Sequence, residues 1–258
     1  IKSDQAPSKP INSSLDHNLS MLQSKLGQSP DFIIRNFNEK PNSSGPLFVC
    51  YIEGLVDKQL LTDLMDAVIE LMGTENYATA DAQATAALIK KKLPLGDIQS
   101  IHNDRQLFQA ILAGSAVIVI DGVEYALAAT ISGGSRRGVE EPTSQTVVRG
   151  PKEGFTEDIS LNLSLLRRKL QTTDLKFESH TIGEYTRTKV IMAYIDGLAR
   201  EEVVQDVSQR LRAIDTDSIL ESGYIEEFIQ DGAFSPFPTI LNTERPDTVA
   251  GCLLDGQV

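Results

Sequence analysis

The sequence contains few of the residues from which metal sites and disulfides are built. Its 258 residues include two cysteines, three histidines and no tryptophan. His17, His102 and His180 lie in separate predicted elements without a second histidine at ligand spacing, so we predict no metal site and no cofactor. Cys50 and Cys252 each lie in an apolar segment, which favours two small buried hydrophobes over a disulfide or a reactive thiol.

Long apolar runs and an excess of positive charge are also missing. No stretch approaches the roughly 18 apolar residues of a membrane-spanning helix, and no signal sequence is visible, so we expect a soluble segment. The formal net charge is −12, whereas a nucleic-acid partner demands a basic surface, so we expect none. The chain starts without Met in a Ser-, Pro- and Asn-rich stretch, and we expect a piece of a longer protein.

Motifs for nucleophilic or phosphoryl chemistry are absent too. There is no Gly-x-Ser-x-Gly elbow, and neither cysteine has a neighbouring base. The glycine-rich stretch 132–138 follows a strand but lacks the Gly-Lys-Ser/Thr ending of a phosphate loop, which favours a flexible turn. Nucleophilic catalysis therefore has no support in the sequence.

One pattern occurs twice in the sequence. Leu47–Leu64 (LFVCYIEGLVDKQLLTDL) is echoed 143 residues later by Val190–Val207 (VIMAYIDGLAREEVVQDV), with five identities in the fourteen positions from each tyrosine onward. Each copy predicts a buried strand, a tight turn at its glycine and an amphipathic helix. The turn glycines are Gly54 and Gly197.

A weaker echo, offset by 142 residues, relates Asn103–Gly114 to Arg245–Gly256. We therefore predict an α/β fold of two related subdomains, each a mixed β-sheet packed with α-helices. The predicted boundaries are a flexible N-terminal segment with a short amphipathic helix at 1–28, a first subdomain at 29–140, a joint at 141–155 and a second subdomain at 156–258. The first copy continues past Gly114 into AVIVIDGVEYALAATI, a predicted hairpin with an Asp-Gly turn. Because the second copy stops at Val258, we expect its sheet to be short of strands that the intact protein supplies.

Cations concentrate in and near the predicted joint of this acidic protein. They are Arg136, Arg137, Arg149, Lys152, Arg167, Arg168 and Lys169. Two interpretations remain open: the segment around Arg149 and Lys152 binds an anion before a helix start, or its cations pair with nearby acids and clamp the two copies together. The nearby acids are Glu140, Glu141 and Glu153. Interleaved charges of both signs favour the clamp.

A second candidate site lies at the ends of the two repeated strands. Glu53 and Asp196 precede the repeat glycines at the carboxyl end of a central strand, where open α/β sheets place ligands. The alternative, which is favoured, is that each side chain caps the turn next to it.

Several motifs are distinctive in combination. They are Glu141-Pro142 followed by VVRGPKEGFTEDISLNLSLLRRKL (Val147–Leu170), GQSPDFIIRNF (Gly27–Phe37), the strand ending YIEGL and VIVIDG (Val117–Gly122). From about Leu15 to the end, the chain resembles the N-terminal region of the A subunits of bacterial spore germinant receptors, the GerA family. Gln145 departs from the family pattern, in which a second acid is common after the Glu-Pro pair.

The resemblance implies a non-enzymatic role in a membrane receptor. Members of the family assemble with B and C subunits into nutrient receptors of the spore inner membrane, and the A subunit is viewed as ring-forming. This chain would be the domain on the cytoplasmic side, with the membrane reached through regions absent from it. The implied partners are the B and C subunits, further copies of the A subunit and a small-molecule germinant.

The sequence leaves three functions open. The one we favour is nutrient-germinant signal transduction and receptor assembly. The second is small-molecule (germinant) binding, with a ligand between the subdomains or near Glu53 and Asp196. The third, a hydrolase or transferase that uses the basic joint, has the least support.

Overall fold

The chain divides into two compact units in the computed structural model, which describes residues 7–37, 46–74, 82–92, 98–133, 153–231 and 239–258. The first unit comprises Ile1–Gly27 and Asp31–Gly138, and the second comprises Gln28–Pro30 and Val139–Val258. The predicted joint at 141–155 lies almost entirely outside the described residues, so its boundaries stay a prediction.

The described part of the first unit contains four helices and five strands. The helices are α1 (Leu15–Leu26), α2 (Lys58–Met72), α3 (Ala82–Lys92) and α4 (Asp104–Leu112). The strands are β1 (Phe32–Phe37), β2 (Leu47–Ile52), β3 (Ile98–Ile101), β4 (Ser115–Ile120) and β5 (Ala126–Thr130). Side-chain caps mark the helix starts: the Asp57 carboxylate accepts from backbone N–H groups at α2, and the Asn103 side chain does so at α4.

The five strands form one sheet in the order β1-β2-β4-β5-β3, and every described pairing is antiparallel. The α/β class is confirmed, although the alternation of strands and helices predicts a mixed sheet. The difference arises between β2 and β4. A single crossover helix returns a chain parallel to the strand it left. Here the described residues between β2 and β4 include three helices and the edge strand β3, and β4 runs in the opposite direction.

Helices cover both faces of this sheet. α2 and α3 pack over one face and α1 and α4 over the other, so that side chains such as Leu64 and Leu22 lie on opposite sides. β2 and β4 are buried along their whole length, which explains their continuous apolar sequences. Cys50 in β2 is confirmed as buried, and burial raises the pKa of its thiol. Cys252 is half-buried, and both cysteines are free.

The predicted hairpin at Asp121-Gly122 is confirmed, with a longer loop than a two-residue turn. β4 and β5 pair antiparallel, and of the two central residues only Gly122 has positive φ, 80°. A type I′ turn needs positive φ at both. The Asp121 carboxylate instead accepts from the backbone N–H of Leu15 (3.0 Å), and the Gly122 N–H donates to the Ser13 carbonyl (2.8 Å). The loop therefore holds the start of α1.

The described part of the second unit contains α5 (Ile159–Lys169), β6 (Leu175–Ile182), β7 (Thr188–Ile195), α6 (Glu201–Ala213), α7 (Ser222–Ile229) and α8 (Pro246–Leu254). β6 and β7 form an antiparallel pair, and among the described residues no other strand joins them. α5 and α8 pack on one face of this pair, and α6 and α7 pack on the other. This described sheet has fewer strands than the sheet of the first unit, as the repeat predicts. The further strands expected beyond Val258 stay a prediction.

Strand register is the same in the two units. Leu175 faces Ile195 as Phe32 faces Ile52, with both residues shifted by 143 positions. The helices keep the same order on the same faces: α1 and α4 correspond to α5 and α8, and α2 and α3 correspond to α6 and α7. The predicted duplication is confirmed in these features.

Two pairs of glycines occupy equivalent positions in the units. Gly54 and Gly197 follow the repeated strand with φ of 85° and 80°, and Gly114 and Gly256 follow α4 and α8 with φ of 86° and 80°. At Gly114 and Gly256 an added Cβ would lie 2.7 Å from the carbonyl oxygen of an equivalent leucine. Only glycine fits such a position without strain.

The duplication also includes α1, which the sequence places before the first subdomain. The Asn18 side chain accepts from the Asn12 N–H (3.1 Å) and donates to the Asn12 carbonyl (2.6 Å). Asn162 in α5 does the same with Thr156, at 2.8 and 2.6 Å. α1 and α5 are therefore equivalent elements, each fixed to the segment that precedes it.

Those preceding segments are held in the same way as well. The Ile11 N–H donates to the His102 carbonyl (3.0 Å), next to the start of α4, and the Phe155 N–H donates to the Glu244 carbonyl (2.8 Å), next to the start of α8. The repeated unit is thus a helix, a strand pair and three further helices.

Candidate functional site

Most of the charged residues predicted for the joint fall outside the part of the chain that the structure describes. They are Arg136, Arg137, Glu140, Glu141, Arg149 and Lys152. Their pairing across the joint, and the choice between an anion site and a clamp, stay predictions. Glu53, Glu153 and Asp196 are described.

Glu153 forms an ion pair with the end of α5. Its Oε2 atom lies 2.9 Å from Nζ of Lys169, and both side chains remain partly exposed. An exposed pair of this kind contributes about 0.2–1 kcal/mol to stability. Glu153 is therefore bound to a cation of its own unit.

The turns that contain Glu53 and Asp196 are built identically. The Glu53 N–H donates to the Asp31 carbonyl and the Asp196 N–H donates to the Asp174 carbonyl, each at 2.8 Å. Both residues are exposed, and both turns close with a hydrogen bond from the residue after the glycine back to the strand end. Backbone groups shape the turns, and the two carboxylates lie in different units.

A polar cluster that the sequence does not reveal lies between β6, β7 and α6. We define it as Glu178, His180, Tyr194 and Ser208. The Tyr194 hydroxyl donates to Glu178 Oε1 (3.0 Å), and the Ser208 hydroxyl donates to Glu178 Oε2 (3.5 Å). His180 follows Glu178 on the same face of β6, and its Nε2 atom is buried with no hydrogen-bond partner among the described residues.

Burial shifts two pKa values in the cluster. The pKa of Tyr194 is raised to about 12, mainly by desolvation and next by the hydrogen bond to the Glu178 carboxylate. Desolvation lowers the pKa of His180; the Glu178 charge opposes this shift and Arg212 adds to it. Tyr194 is therefore a hydrogen-bond donor, and neutral His180 is favoured.

The polar cluster belongs to the second unit alone. At an offset of 143 residues, Glu178, His180 and Ser208 correspond to Arg35, Phe37 and Met65. Phe37 and Met65 pack against the apolar core of the first unit. The shared fold therefore does not require polar groups at the positions of His180 and Ser208.

Arg167 lies in the core of the second unit. It is fully buried and lies over the Phe177 ring, 4.7 Å from its centroid. Its guanidinium donates to the Leu175 carbonyl (3.1 Å) and to the Ser29 hydroxyl (2.7 Å). In the sequence it is one of three cations in the last turn of α5, and nothing in that pattern distinguishes it from Arg168 and Lys169.

The described residues contain no group of three or more side chains that could hold a metal ion. In the same residues, no helix is both long and apolar enough to cross a membrane.

The fold and the site define a duplicated α/β domain in which a polar cluster distinguishes one copy from the other. The chain belongs to the GerA family: the model described as Bacillus/Clostridium GerA spore germination protein matches residues 20–258. The resemblance seen in the sequence is confirmed.

Known relatives agree with this assignment. The chain is 39% identical to spore germination protein KA of Bacillus subtilis, over 96% of this chain and 45% of that protein. It is 33% identical to spore germination protein B1 of the same organism, over 96% of this chain and 50% of that protein. The chain thus spans about half the length of these curated relatives.

A solved structure shows the same fold. The N-terminal domain of the A subunit of the Bacillus megaterium spore germinant receptor GerK3 matches with a TM-score of 0.73 and 34% identity, over 97% of this chain and 91% of that one. The chain is therefore similar to a germinant receptor A-subunit N-terminal domain along nearly its whole length.

Proposed function

We propose that this chain takes part in nutrient-germinant signal transduction and receptor assembly at the spore inner membrane. The observation that carries the proposal is the match, over 97% of the chain, to the N-terminal domain of a germinant receptor A subunit. The chain covers about half of relatives named as spore germination proteins, and we infer that other regions reach the membrane. The domain lies on the cytoplasmic side.

The inferred partners are the B and C subunits of the receptor and further copies of the A subunit. We propose that the domain acts on them through protein contacts and not through catalysis. Each unit has its own close-packed apolar cores, and such cores shift between discrete arrangements more readily than they deform. A displacement at one surface of a unit would thereby reach its other surfaces.

A pair of neighbouring leucines in α8 tests this role. Leu253 is buried, with 3% of its surface exposed, whereas Leu254 is 56% exposed. In spores carrying the full-length receptor, Leu253→Asp introduces an unpaired charge into the core and should unfold the second unit. We expect loss of nutrient-triggered germination and reduced levels of the B and C subunits on immunoblots.

Leu254→Asp is the matched control, because the same charge at an exposed position leaves the core intact. We expect these spores to germinate normally. Normal germination and normal B and C subunit levels in Leu253→Asp spores would contradict the proposed function.

Germinant binding by the domain itself is a second candidate, favoured by the polar cluster of the second unit. A carboxylate, a hydroxyl and an imidazole lie there where the first unit has an arginine and two apolar side chains. Calorimetric titration of the chain with amino acids, sugars and phosphates tests it. Saturable binding that Glu178→Gln abolishes would support this candidate. Absence of binding would contradict it and leave signalling and assembly as the proposed function.

A further inference from the structure

α7 presents an apolar stripe outward. Tyr224 and Phe228 are 40% and 46% exposed and lie one turn apart on one side of the helix, and Leu220, which is 75% exposed, comes two residues before the helix starts. Ile225 and Ile229, on a neighbouring side, pack against the core formed with α6 and β7. The helix thus has one apolar side for the core and a second for the surface. We call Leu220, Tyr224 and Phe228 the α7 stripe.

A further exposed apolar side chain lies near α7 but away from the stripe, because at 100° per residue Glu226 lies about 160° around the helix from Tyr224 and Phe228. The Asn242 side chain donates to Glu226 Oε1 at 2.7 Å, which fixes the segment at 241–242 beside α7. Leu241 in that segment is 66% exposed. Scattered surface leucines are ordinary, but large apolar side chains grouped on one surface mark interaction sites.

Carboxylates predominate in the segment that carries the stripe, although Arg210 of α6 pairs with Asp231 just after the C-terminal end of α7 (2.6 Å). Residues 213–244 contain seven carboxylates and neither lysine nor arginine. The carboxylates are Asp215, Asp217, Glu221, Glu226, Glu227, Asp231 and Glu244. Glu221 and Glu227 are exposed: at 100° per residue Glu227 borders the stripe, and Glu221 is the N-cap residue next to Leu220.

The shared fold does not account for this surface. α3 occupies in the first unit the place of α7 in the second, and its sequence AQATAALIKKK has no aromatic residue and ends in three lysines. α7 in contrast carries two exposed aromatic side chains and no cation. The stripe and its acidic border are properties of the second unit.

We propose that the α7 stripe is a docking surface for a Lys/Arg-rich amphipathic segment of another protein. Apolar side chains of that segment cover the stripe, and its cations face Glu221 and Glu227. The inference rests on the proposed function, because a subunit assembled with membrane proteins meets such segments: cytoplasmic loops of membrane proteins carry an excess of lysine and arginine.

A model peptide tests the chemistry of the surface on the purified chain. The probe is an amphipathic peptide of leucine and lysine, roughly 18 residues or five helical turns long, and its control replaces every lysine by glutamate. We expect the lysine peptide to shift backbone NMR signals of residues 220–229 in a saturable manner, and less so in high salt. The glutamate peptide should leave them unchanged.

Two matched variants locate the binding. Phe228→Ser removes an exposed anchor of the stripe, and we expect it to weaken binding of the lysine peptide by about tenfold or more. Ile69→Ser removes an apolar side chain of α2 that is 57% exposed in the first unit, and we expect no change. Thermal melts check that both variants stay folded. Equal binding of the two peptides, shifts confined to other residues, or full affinity in Phe228→Ser would overturn the proposal.

Photo-crosslinking in spores identifies the occupant. With a benzophenone amino acid in place of Phe228 in the full-length receptor, we expect an adduct to a Lys/Arg-rich segment of a different protein. An adduct within the same chain, to another copy of it or to an acidic segment would overturn the docking proposal. The proposed function would survive that result, because the Leu253→Asp and Leu254→Asp pair tests it separately.

Discussion

Gly114 and Gly256 show how a single residue sets the end of an equivalent helix in both units. Each adopts a left-handed φ, and each approaches the carbonyl oxygen of a leucine that comes after the repeated strand, Leu55 or Leu198. The Gly256 contact ties α8 to the turn after β7. A side chain there would strain the backbone and press on that carbonyl group.

We expect Gly256→Ala to lower the free energy of unfolding of the second unit by about 2 kcal/mol or more, from the left-handed φ together with the close approach. Gly251→Ala is the control in the same helix, because nothing lies within 4 Å of an added Cβ there. It should raise stability by about 0.5–1 kcal/mol. Urea denaturation measures both, and equal effects of the two variants would show that the contact with Leu198 does not matter.

His180 makes the stability of the second unit depend on pH. Burial lowers its pKa in the folded state below the unfolded value of 6.5. Between those two values the unfolded chain binds more protons, so acid favours unfolding. Stability is therefore highest above pH 6.5 and declines as pH falls through the folded pKa. The hydrogen bond to Arg245 lowers the pKa of the Asp247 carboxyl from 3.8, so Asp247 affects stability only at lower pH.

We expect His180→Phe to flatten the fall in melting temperature between about pH 7 and pH 5, because the equivalent residue of the first unit, Phe37, has no titratable group. His17 is exposed, and His17→Gln should keep the wild-type slope. Melting curves across this range measure both variants. An unchanged slope in His180→Phe would assign the acid sensitivity to another group.

At the scale of elements, α1 and α5 depend on one asparagine each. Asn18 is almost fully buried and closes two hydrogen bonds on the segment before α1. Asn18→Ala would leave the Asn12 backbone groups without these partners, and we expect a loss of about 1–3 kcal/mol from the first unit. Ser20→Ala, at an exposed position of the same helix, should change stability by less than about 0.5 kcal/mol. Chemical denaturation compares them, and equal stabilities would remove this role of Asn18.

The repeated strand, turn and helix could be predicted because their apolar periodicity survives in both copies. The equivalence of α1 and α5 could not, because it rests on one shared asparagine and on backbone bonds to distant residues such as His102 and Glu244. The antiparallel pairing of the first sheet could not be predicted from the apolar periodicity either. Pairing direction depends on how the chain returns after α2 and α3, and periodicity carries no information about that path.

The candidate site was less predictable than the fold. A run of cations at a helix end does not tell which one turns inward, and Arg167 is buried because its side chain reaches Phe177 and the Leu175 carbonyl. Glu178 lies in a strand of alternating burial, where a glutamate usually faces water. Its partners, Tyr194 and Ser208, come from two other elements, and the spacing of residues along the chain does not reveal such a meeting.

At the scale of the whole molecule, one architecture occurs twice with different surfaces. The first unit has Phe37 and Met65 packed on its apolar core where the second has His180 and Ser208 of the polar cluster, and α3 ends in lysines where α7 is acidic. Positions that hold the fold together have stayed equivalent, including the glycine pairs and the strand register. The polar cluster and the α7 stripe both lie in the second unit. We infer that the surface of this unit makes the contacts that transmit the signal.

The dose response of nutrient germination tests that central claim most directly. In spores carrying Phe228→Ser or Tyr194→Phe in the full-length receptor, at matched receptor levels, we expect Phe228→Ser to lower the maximal germination rate. Under our proposal that the domain signals through protein contacts, neither variant should change the germinant concentration that gives half of that rate. An increase of about tenfold in that concentration, with the maximal rate unchanged, would contradict the account and assign the domain to germinant binding.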